Sequence, residues 1–234
     1  MNTPPRAASW PDKARALAWL RFMMLFYVFF FPVFFGSARI VEAMGVSRGL
    51  YFDWELAVPF VPWMIVPYLT LFSLFLLPLL HMTPREIDRL SVQSTASLGI
   101  AFVAFLALAG RNGFVPKPTS GAFGPLFQLI GAVDTPRSMA PSLHVAFAAM
   151  ILIGCAERAS SRLAALYYAW LALLAASTVL IHQHHLLDVG AGFALALSVR
   201  KLAPLDGAGA YWRWRPSRRL ARPLGEPAAS KPEE

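Results

Sequence analysis

Residues 177 to 188 read STVLIHQHHLLD and lie at the junction of two long apolar segments. A second stretch, APSLH at 140 to 144, lies where another apolar segment begins. The two stretches contain four of the five histidines and an acid: His144, His182, His184, His185 and Asp188. A histidine four residues before a carboxylate lies on the same face of a helix as that carboxylate. We therefore expect His184 and Asp188 to form a hydrogen-bonded pair.

Such a pair predicts covalent catalysis. A carboxylate that accepts one ring N–H of an imidazole leaves the other ring nitrogen unprotonated and nucleophilic. His184 is the expected nucleophile, Asp188 its orienting carboxylate and His144 the general acid. His185 is expected only to flank the nucleophile and to face the membrane interface.

The composition indicates where this chemistry takes place. The chain of 234 residues is 57% hydrophobic and 15% charged, with a mean hydropathy of +0.52, and its apolar residues form long unbroken runs. These values exceed those of an ordinary soluble domain and predict a polytopic membrane protein. The single cysteine, Cys155, excludes an internal disulfide and a thiolate metal cluster. The net charge of +8 comes from basic residues that flank the apolar runs, which favours membrane orientation over nucleic-acid binding.

The apolar runs predict an all-α bundle of six transmembrane helices within residues 17–202. A transmembrane helix needs about 20 apolar residues. The expected spans are 17–35, about 60–80, 94–109, 142–156, 163–181 and 185–199, with a loop at 36–57. Pro62, Pro67 and Pro78 are expected to kink or bound the second span, and in the charged loop 81–90 Thr83-Pro84 followed by Glu86 resembles a helix start. Residues 1–16 are expected to form a cytoplasmic tail, and residues 203–234 a basic, largely disordered cytoplasmic tail. The long connection 110–141, rich in Gly and Pro, is predicted to be functional and to carry a short helix at 125–133 on the membrane surface.

The basic residues predict the orientation of the bundle. About 16 of the 21 Lys and Arg residues belong to the tails and to the loops 81–93 and 156–162, and about 5 belong to the other loops. The positive-inside rule then assigns both termini to the cytoplasm, in a plasma or inner membrane. The 110–141 loop, His144, His184 and Asp188 all face outward in this arrangement.

The order of these motifs resembles the active site of the type 2 phosphatidic acid phosphatase superfamily. Its members carry KxxxxxxRP, PSGH and SRxxxxxHxxxD in a six-helix bundle. The second motif is similar to Pro141, Ser142, Leu143 and His144, and the third to Ser177, Thr178, His184 and Asp188. The variant PSLHVA and the threonine at 178 are most similar to the branch that includes the inositol phosphorylceramide synthases.

Two arginines of the family pattern are replaced in this chain. The nearest match to the first motif is Arg111 followed by Lys117-Pro118, and Thr178 stands where the third motif has arginine. The cations available for the phosphate are Lys117, which we expect to serve first, then His182, Arg137 and Arg111. The Ser142 hydroxyl and the backbone N–H groups from Leu143 onward are expected to bind phosphate oxygens, as helix N-termini do.

The resemblance implies an integral membrane lipid phosphatase. It would cleave a membrane lipid phosphate at the outer side through a phosphohistidine, with no cofactor and no bound metal. Transfer of a phospho-headgroup to a lipid alcohol is an alternative, and a non-catalytic membrane binding or transport protein is another. The residues themselves leave two more readings open: a metal site that uses His144, His182, His184 and Asp188, or a buried polar pair without chemistry.

Overall fold

The computed structural model describes residues 11–117, 121–133, 135, 137 and 139–204. The described chain is mostly helical, which confirms the prediction of a helical fold. Its α-helices are α1 Lys13–Phe31, α2 Ser37–Ala43, α3 Ile65–Leu69, α4 Leu71–Leu74, α5 Leu77–His81, α6 Pro84–Leu108, α7 Gly124–Val133, α8 Leu143–Ala156, α9 Ser161–Leu180 and α10 Leu186–Leu202. Two short parallel strands, β1 Arg48–Gly49 and β2 Gly110–Arg111, join two loops. The tail predictions for residues 1–10 and 205–234 lie outside the described residues.

Three helices in the described residues are long and apolar enough to cross a membrane: Lys13–Ala43, Pro84–Leu108 and Ser161–Leu180. They indicate a membrane protein. The six expected spans are not confirmed, because Pro62–Leu74 and Leu143–Ala156 are shorter apolar helices and α10 has 17 residues. A straight helix needs about 20 residues to cross the hydrocarbon core.

The first helical segment is longer than predicted. It was expected to end at Phe35, but it continues to Ala43 as α2. Pro32 has no backbone N–H to donate, and the helix widens there into a π-helical segment, Pro32–Gly36, that joins α1 to α2. The expectation of a loop from residue 36 was therefore wrong over this stretch.

The second and third spans show how prolines and caps set helix boundaries. Prolines were expected to kink or bound the second span, and it is indeed divided into a 3-10 turn, Pro62–Met64, followed by α3, α4 and α5. Helix α6 begins at Pro84 instead of residue 94. Thr83 caps it, because the Glu86 N–H donates to Thr83 Oγ1 at 3.4 Å and the Thr83 N–H donates to Glu86 Oε2 at 2.7 Å. The predicted helix start at Thr83-Pro84 is correct, and the charged loop expected to follow it is part of the helix.

Helix α8 forms the centre of the bundle. Its residues are buried around almost the whole circumference, and it packs against α4, α5, α6, α9 and α10. A helix that is apolar on all sides is stable only when it is surrounded in this way. The N-terminus of α8 meets the end of α9 and the start of α10 at what we call the site end of the bundle. The C-terminus of α8 meets the starts of α6 and α9 at the far end.

Candidate active site

The turn between α9 and α10 carries His184. Helix α9 ends at Leu180, and His182 adopts a left-handed conformation with φ of 61° that reverses the chain. The Thr178 carbonyl then accepts the N–H groups of both Gln183 and His184, at 2.9 and 3.0 Å. The threonine at the position of the third motif's arginine is buried, and its hydroxyl donates to the Ala175 carbonyl. It therefore contributes to the turn through its backbone.

His184 and Asp188 are neighbours, although not on one helix. Helix α10 begins only at Leu186, so His184 precedes it. Its Nδ1 lies 3.5 Å from Asp188 Oδ2, and both side chains are nearly buried. This distance exceeds the usual length of a charge-assisted hydrogen bond, about 2.7–2.9 Å, and Nδ1 has no hydrogen-bond partner among the described residues. The two side chains are therefore adjacent, but the expected hydrogen bond between them is not formed. Asp188 also accepts the His185 N–H at 2.8 Å, so the carboxylate that faces His184 caps α10 as well.

Backbone contacts join the two motif-bearing segments. The Ser142 N–H donates to the Asp188 carbonyl at 2.9 Å. A Cβ atom added at Gly192 would lie only 2.6 Å from the Ser142 carbonyl oxygen, so the approach of α10 to the start of α8 requires glycine there. The buried Ser142 hydroxyl accepts the Val145 N–H at 3.4 Å as the cap of α8. Ser142 is thus at the predicted helix N-terminus, with its side chain engaged in capping.

His144 is in the first turn of α8. Its ring stacks on Tyr68, with centroids 4.0 Å apart and planes 15° from parallel. Its buried Nε2 atom has no hydrogen-bond partner among the described residues. A buried ring nitrogen without a partner is costly, and it is available to a ligand.

His144 and His184 line the same cavity, which has a volume of about 350 Å³. Thr135 and Gln183 are the other non-aromatic polar side chains of its wall, and Leu143 lies beside His144. The rest of the wall is mainly aromatic: Phe26, Tyr27, Phe30, Phe31, Phe34, Phe35, Tyr68, Phe72, Phe75, Phe105 and Phe147. The cavity therefore combines two imidazoles with a long apolar wall, most of it from α1 and the segment that follows.

Comparison of the chain with protein-family profiles, with curated proteins and with solved structures found no match.

The predicted phosphate-binding cations do not line this cavity. Arg137 contacts the wall through its backbone only, since its backbone N–H donates to Thr135 Oγ1 at 3.2 Å and Thr135 is in the wall. Its guanidinium lies 3.6 Å from Glu42. Lys117 and Arg111 are exposed, and Pro118 is outside the described residues.

His182 is turned away from the cavity. Its Nε2 lies 3.0 Å from the Val58 carbonyl, which can only accept, so Nε2 carries the proton. Burial lowers the pKa of His182, and the nearby charge of Lys117 lowers it further. Both effects favour the neutral ring, which is a poor ligand for phosphate.

His185 differs from its prediction. It was expected to face the interface, but it is 1% exposed. Its ring belongs to a stack of four rings in the order Tyr51, His185, Phe114 and His182. Successive ring centroids are 4.4, 4.3 and 4.0 Å apart. We call this the ring stack; it joins three loops at the site end.

Sequence analysis missed the residues that hold His185. Gly113 N–H donates to its Nε2 at 3.1 Å, and Glu55 Oε2 lies 3.3 Å from its Nδ1. Burial lowers the pKa of His185, although the carboxylates of Asp188 and Glu55 oppose this effect. Glu55 and His185 are 130 positions apart in sequence, and no periodic pattern links them.

No group of three or more His, Cys, Asp or Glu side chains in the described residues is arranged to hold a metal ion.

Proposed function

We propose that this protein is a membrane enzyme that cleaves a lipid phosphate ester through a phosphohistidine. The observation that carries the proposal is the shared cavity: His184, paired with a buried carboxylate, and His144 open into one apolar space. The motif order resembles that of the type 2 phosphatidic acid phosphatases and supports the same chemistry. The site would be extracytoplasmic, with both termini in the cytoplasm, as the distribution of basic residues indicates.

The first step forms a bond between phosphorus and His184 Nε2. Asp188 faces Nδ1 and keeps the proton there, so that Nε2 presents its lone pair to phosphorus. The bond from phosphorus to the ester oxygen breaks, and His144 gives its proton to the departing alkoxide. Burial favours the neutral form of His144, so His144 takes up its proton only when the negative charge of a bound phosphate offsets this effect.

The second step returns both histidines to their starting states. Water attacks phosphorus, the bond to His184 breaks, and His144 takes the proton of the water. The products are inorganic phosphate and a lipid alcohol. Backbone N–H groups at the start of α8 are close to the cavity and suit the phosphate oxygens.

The apolar wall supports a lipid substrate. Its aromatic side chains accept an apolar chain and offer few hydrogen bonds to a soluble phosphate ester. A volume of about 350 Å³ is in the range of small ligand pockets. The cavity is thus suited to the phosphate and the first part of a lipid tail.

Transfer to a second lipid alcohol is the alternative second step. The sequence PSLHVA and the threonine at 178 favour it, because they are most similar to the branch of headgroup transferases. The two reactions share the first step and differ only in the acceptor.

The test uses purified protein in vesicles that contain a lipid phosphate and a lipid alcohol. We expect the wild type to release free phosphate; a new phospholipid would favour transfer. His184→Gln should abolish both products. His81→Gln is the matched control, because His81 bonds to Tyr167 near Arg158, at the far end. The absence of any product with phosphatidic, prenyl and phospholipid substrates would overturn the proposal in favour of a binding or transport protein.

A further inference from the structure

Glu55 is a fully buried carboxylate in the loop that follows α2. It lies in a 3-10 turn, Asp53–Ala57, with 0% of its surface exposed, whereas Asp53 in the same turn is exposed. Burial of a carboxylate is costly unless donors surround it. The donors around Glu55 therefore indicate what the residue does.

Two of the groups around Glu55 come from the segment that follows His184. The Leu186 N–H, the first of α10, donates to Glu55 Oε2 at 2.8 Å. His185 Nδ1 lies 3.3 Å from the same oxygen. The other oxygen, Oε1, accepts the Phe52 N–H at 3.0 Å within the loop itself.

The ring of His185 is fixed in one tautomer. Its Nε2 accepts the Gly113 N–H, so the proton of the neutral ring is on Nδ1 and faces Glu55. Nδ1 forms no hydrogen bond of regular geometry, so its contact with Glu55 Oε2 at 3.3 Å is weaker than the bond at Nε2. The ring faces are covered as well, by Tyr51 and Phe114.

The backbone before His184 is held separately. The Thr178 carbonyl accepts the Gln183 and His184 N–H groups, and Asn112 donates to the His182 carbonyl at 2.8 Å. Glu55 holds the other side, at His185 and Leu186. His184 thus lies between two anchored stretches of backbone.

We propose that Glu55 is a positioning residue, which fixes the place of His184 in the cavity by holding His185 and the first N–H of α10. The inference rests on the proposed function for its effect on turnover. A misplaced nucleophile reacts slowly even when substrate still binds, because reacting atoms must be brought to about 3–3.5 Å in line. Loss of Glu55 should therefore lower kcat and leave KM nearly unchanged.

The test compares Glu55→Gln with Asp53→Asn, a matched loss of one negative charge in the same turn. Two quantities are measured for each: the kinetic constants per folded protein, and the hydrogen exchange of the backbone amides in 182–188. We expect Glu55→Gln to lower kcat by about tenfold or more, with KM within about threefold. A displacement of the nucleophile by about 1 Å is enough to slow the chemical step by this factor. The amides of the segment should also exchange faster. Asp53→Asn should change neither quantity.

A second variant removes the contact but keeps the carboxylate. Leu186→Pro deletes the N–H that donates to Glu55 at the first position of a helix, where proline is tolerated. The preceding residue, His185, already has the extended conformation that proline requires, with φ −96° and ψ 165°. It should reproduce the loss of kcat, and it decides the question if Glu55→Gln fails to fold.

The outcomes separate the two proposals. Wild-type kcat and wild-type amide exchange in both variants would overturn the positioning role. A loss of folded protein with unchanged kcat in what remains would also overturn it, in favour of a purely structural carboxylate. If the wild type turns over no lipid phosphate, the proposed function fails, and amide exchange alone then decides whether Glu55 holds the segment.

Discussion

The polar groups at the two ends of the bundle have different kinds of partners. At the far end, opposite charges neutralise each other: Arg158 lies 2.9 Å from Glu86, with side chains 10% and 13% exposed, and Arg200 pairs with Glu157. At the site end, carboxylates face imidazoles, and His144 Nε2 has no hydrogen-bond partner among the described residues. The charges of the far end are neutralised within the protein, whereas at the site end a bound anion would supply a partner for His144.

This contrast predicts that substitutions at the two ends affect different properties of the protein. Substitutions at the far end should cost stability and leave the chemistry of folded protein unchanged. Substitutions at the site end should cost turnover and leave the fold largely intact. Three substitutions and a change of pH test this separation.

Asp188→Asn should produce the largest loss. Oδ2 of Asp188 both accepts the His185 N–H and faces His184 Nδ1, so an asparagine that keeps its oxygen there retains the cap of α10, and the melting temperature should change little. The negative charge that orients His184 and stabilises its imidazolium is lost, so we expect kcat to fall by about 10³-fold or more. Steady-state kinetics and thermal unfolding of the same preparation measure both. Retention of more than about a tenth of wild-type kcat would contradict the assigned role.

Glu86→Gln should destabilise the protein without slowing it. The substitution removes the buried counter-charge of Arg158 and leaves it only the half-exposed Glu157 at 3.3 Å, which costs up to about 3 kcal/mol in the free energy of unfolding. Chemical unfolding in detergent measures this change, and kcat per folded protein should equal that of the wild type. The control is Asp88→Asn, which breaks the exposed pair with Arg21 and should cost less than about 1 kcal/mol. A fall in kcat with Glu86→Gln would show that the two ends are coupled.

Arg137→Gln should weaken substrate binding. The backbone of Arg137 bonds to Thr135 in the wall, so its guanidinium, now 3.6 Å from Glu42, is attached next to the cavity, and we expect loss of its charge to raise KM for a lipid phosphate about tenfold. Lys117→Gln is the comparison, because the sequence favoured Lys117 as the principal cation and the structure has it exposed and outside the cavity wall. A larger rise in KM for Lys117→Gln than for Arg137→Gln would instead favour Lys117 as the principal phosphate-binding cation.

Lowering the pH should reduce the stability of the folded protein, and this is the smallest effect that we predict. Burial lowers the pKa of His182 and His185 below the ordinary value of about 6.5, so these rings stay neutral in the folded state after the unfolded state has gained protons. Their contribution to stability is therefore complete above about pH 6.5 and decreases as the pH falls below it. Unfolding midpoints between about pH 7.5 and 5 measure this decrease. His185→Gln should make the profile flatter, and an unchanged profile would contradict the assignment.

The sequence predicts those parts of the molecule that depend on local chemistry. Prolines at 62, 67 and 78 signalled the broken second helix, and Thr83 with Glu86 signalled the start of α6. The apolar patch at 125–133 is α7, as expected. Each of these features depends only on residues a few positions apart in the chain, so the sequence pattern alone is enough to predict it.

The features that the sequence did not predict depend on contacts between distant segments. The burial of Glu55 results from donors at His185 and Leu186, which belong to another loop. The ring stack likewise combines Tyr51, Phe114 and two histidines from three loops. For the same reason, the sequence pattern separated His184 from His185 but placed His185 at the membrane interface instead of in the buried stack.

The central claim is that His184 becomes phosphorylated, and its most direct test is to trap that intermediate. Protein would be mixed with excess lipid phosphate, quenched in alkali, where phosphohistidine survives, digested and examined by mass spectrometry. The account predicts phosphate on His184, lost on mild acid treatment and absent from His184→Gln. Phosphate on another residue, or full turnover by His184→Gln, would contradict it.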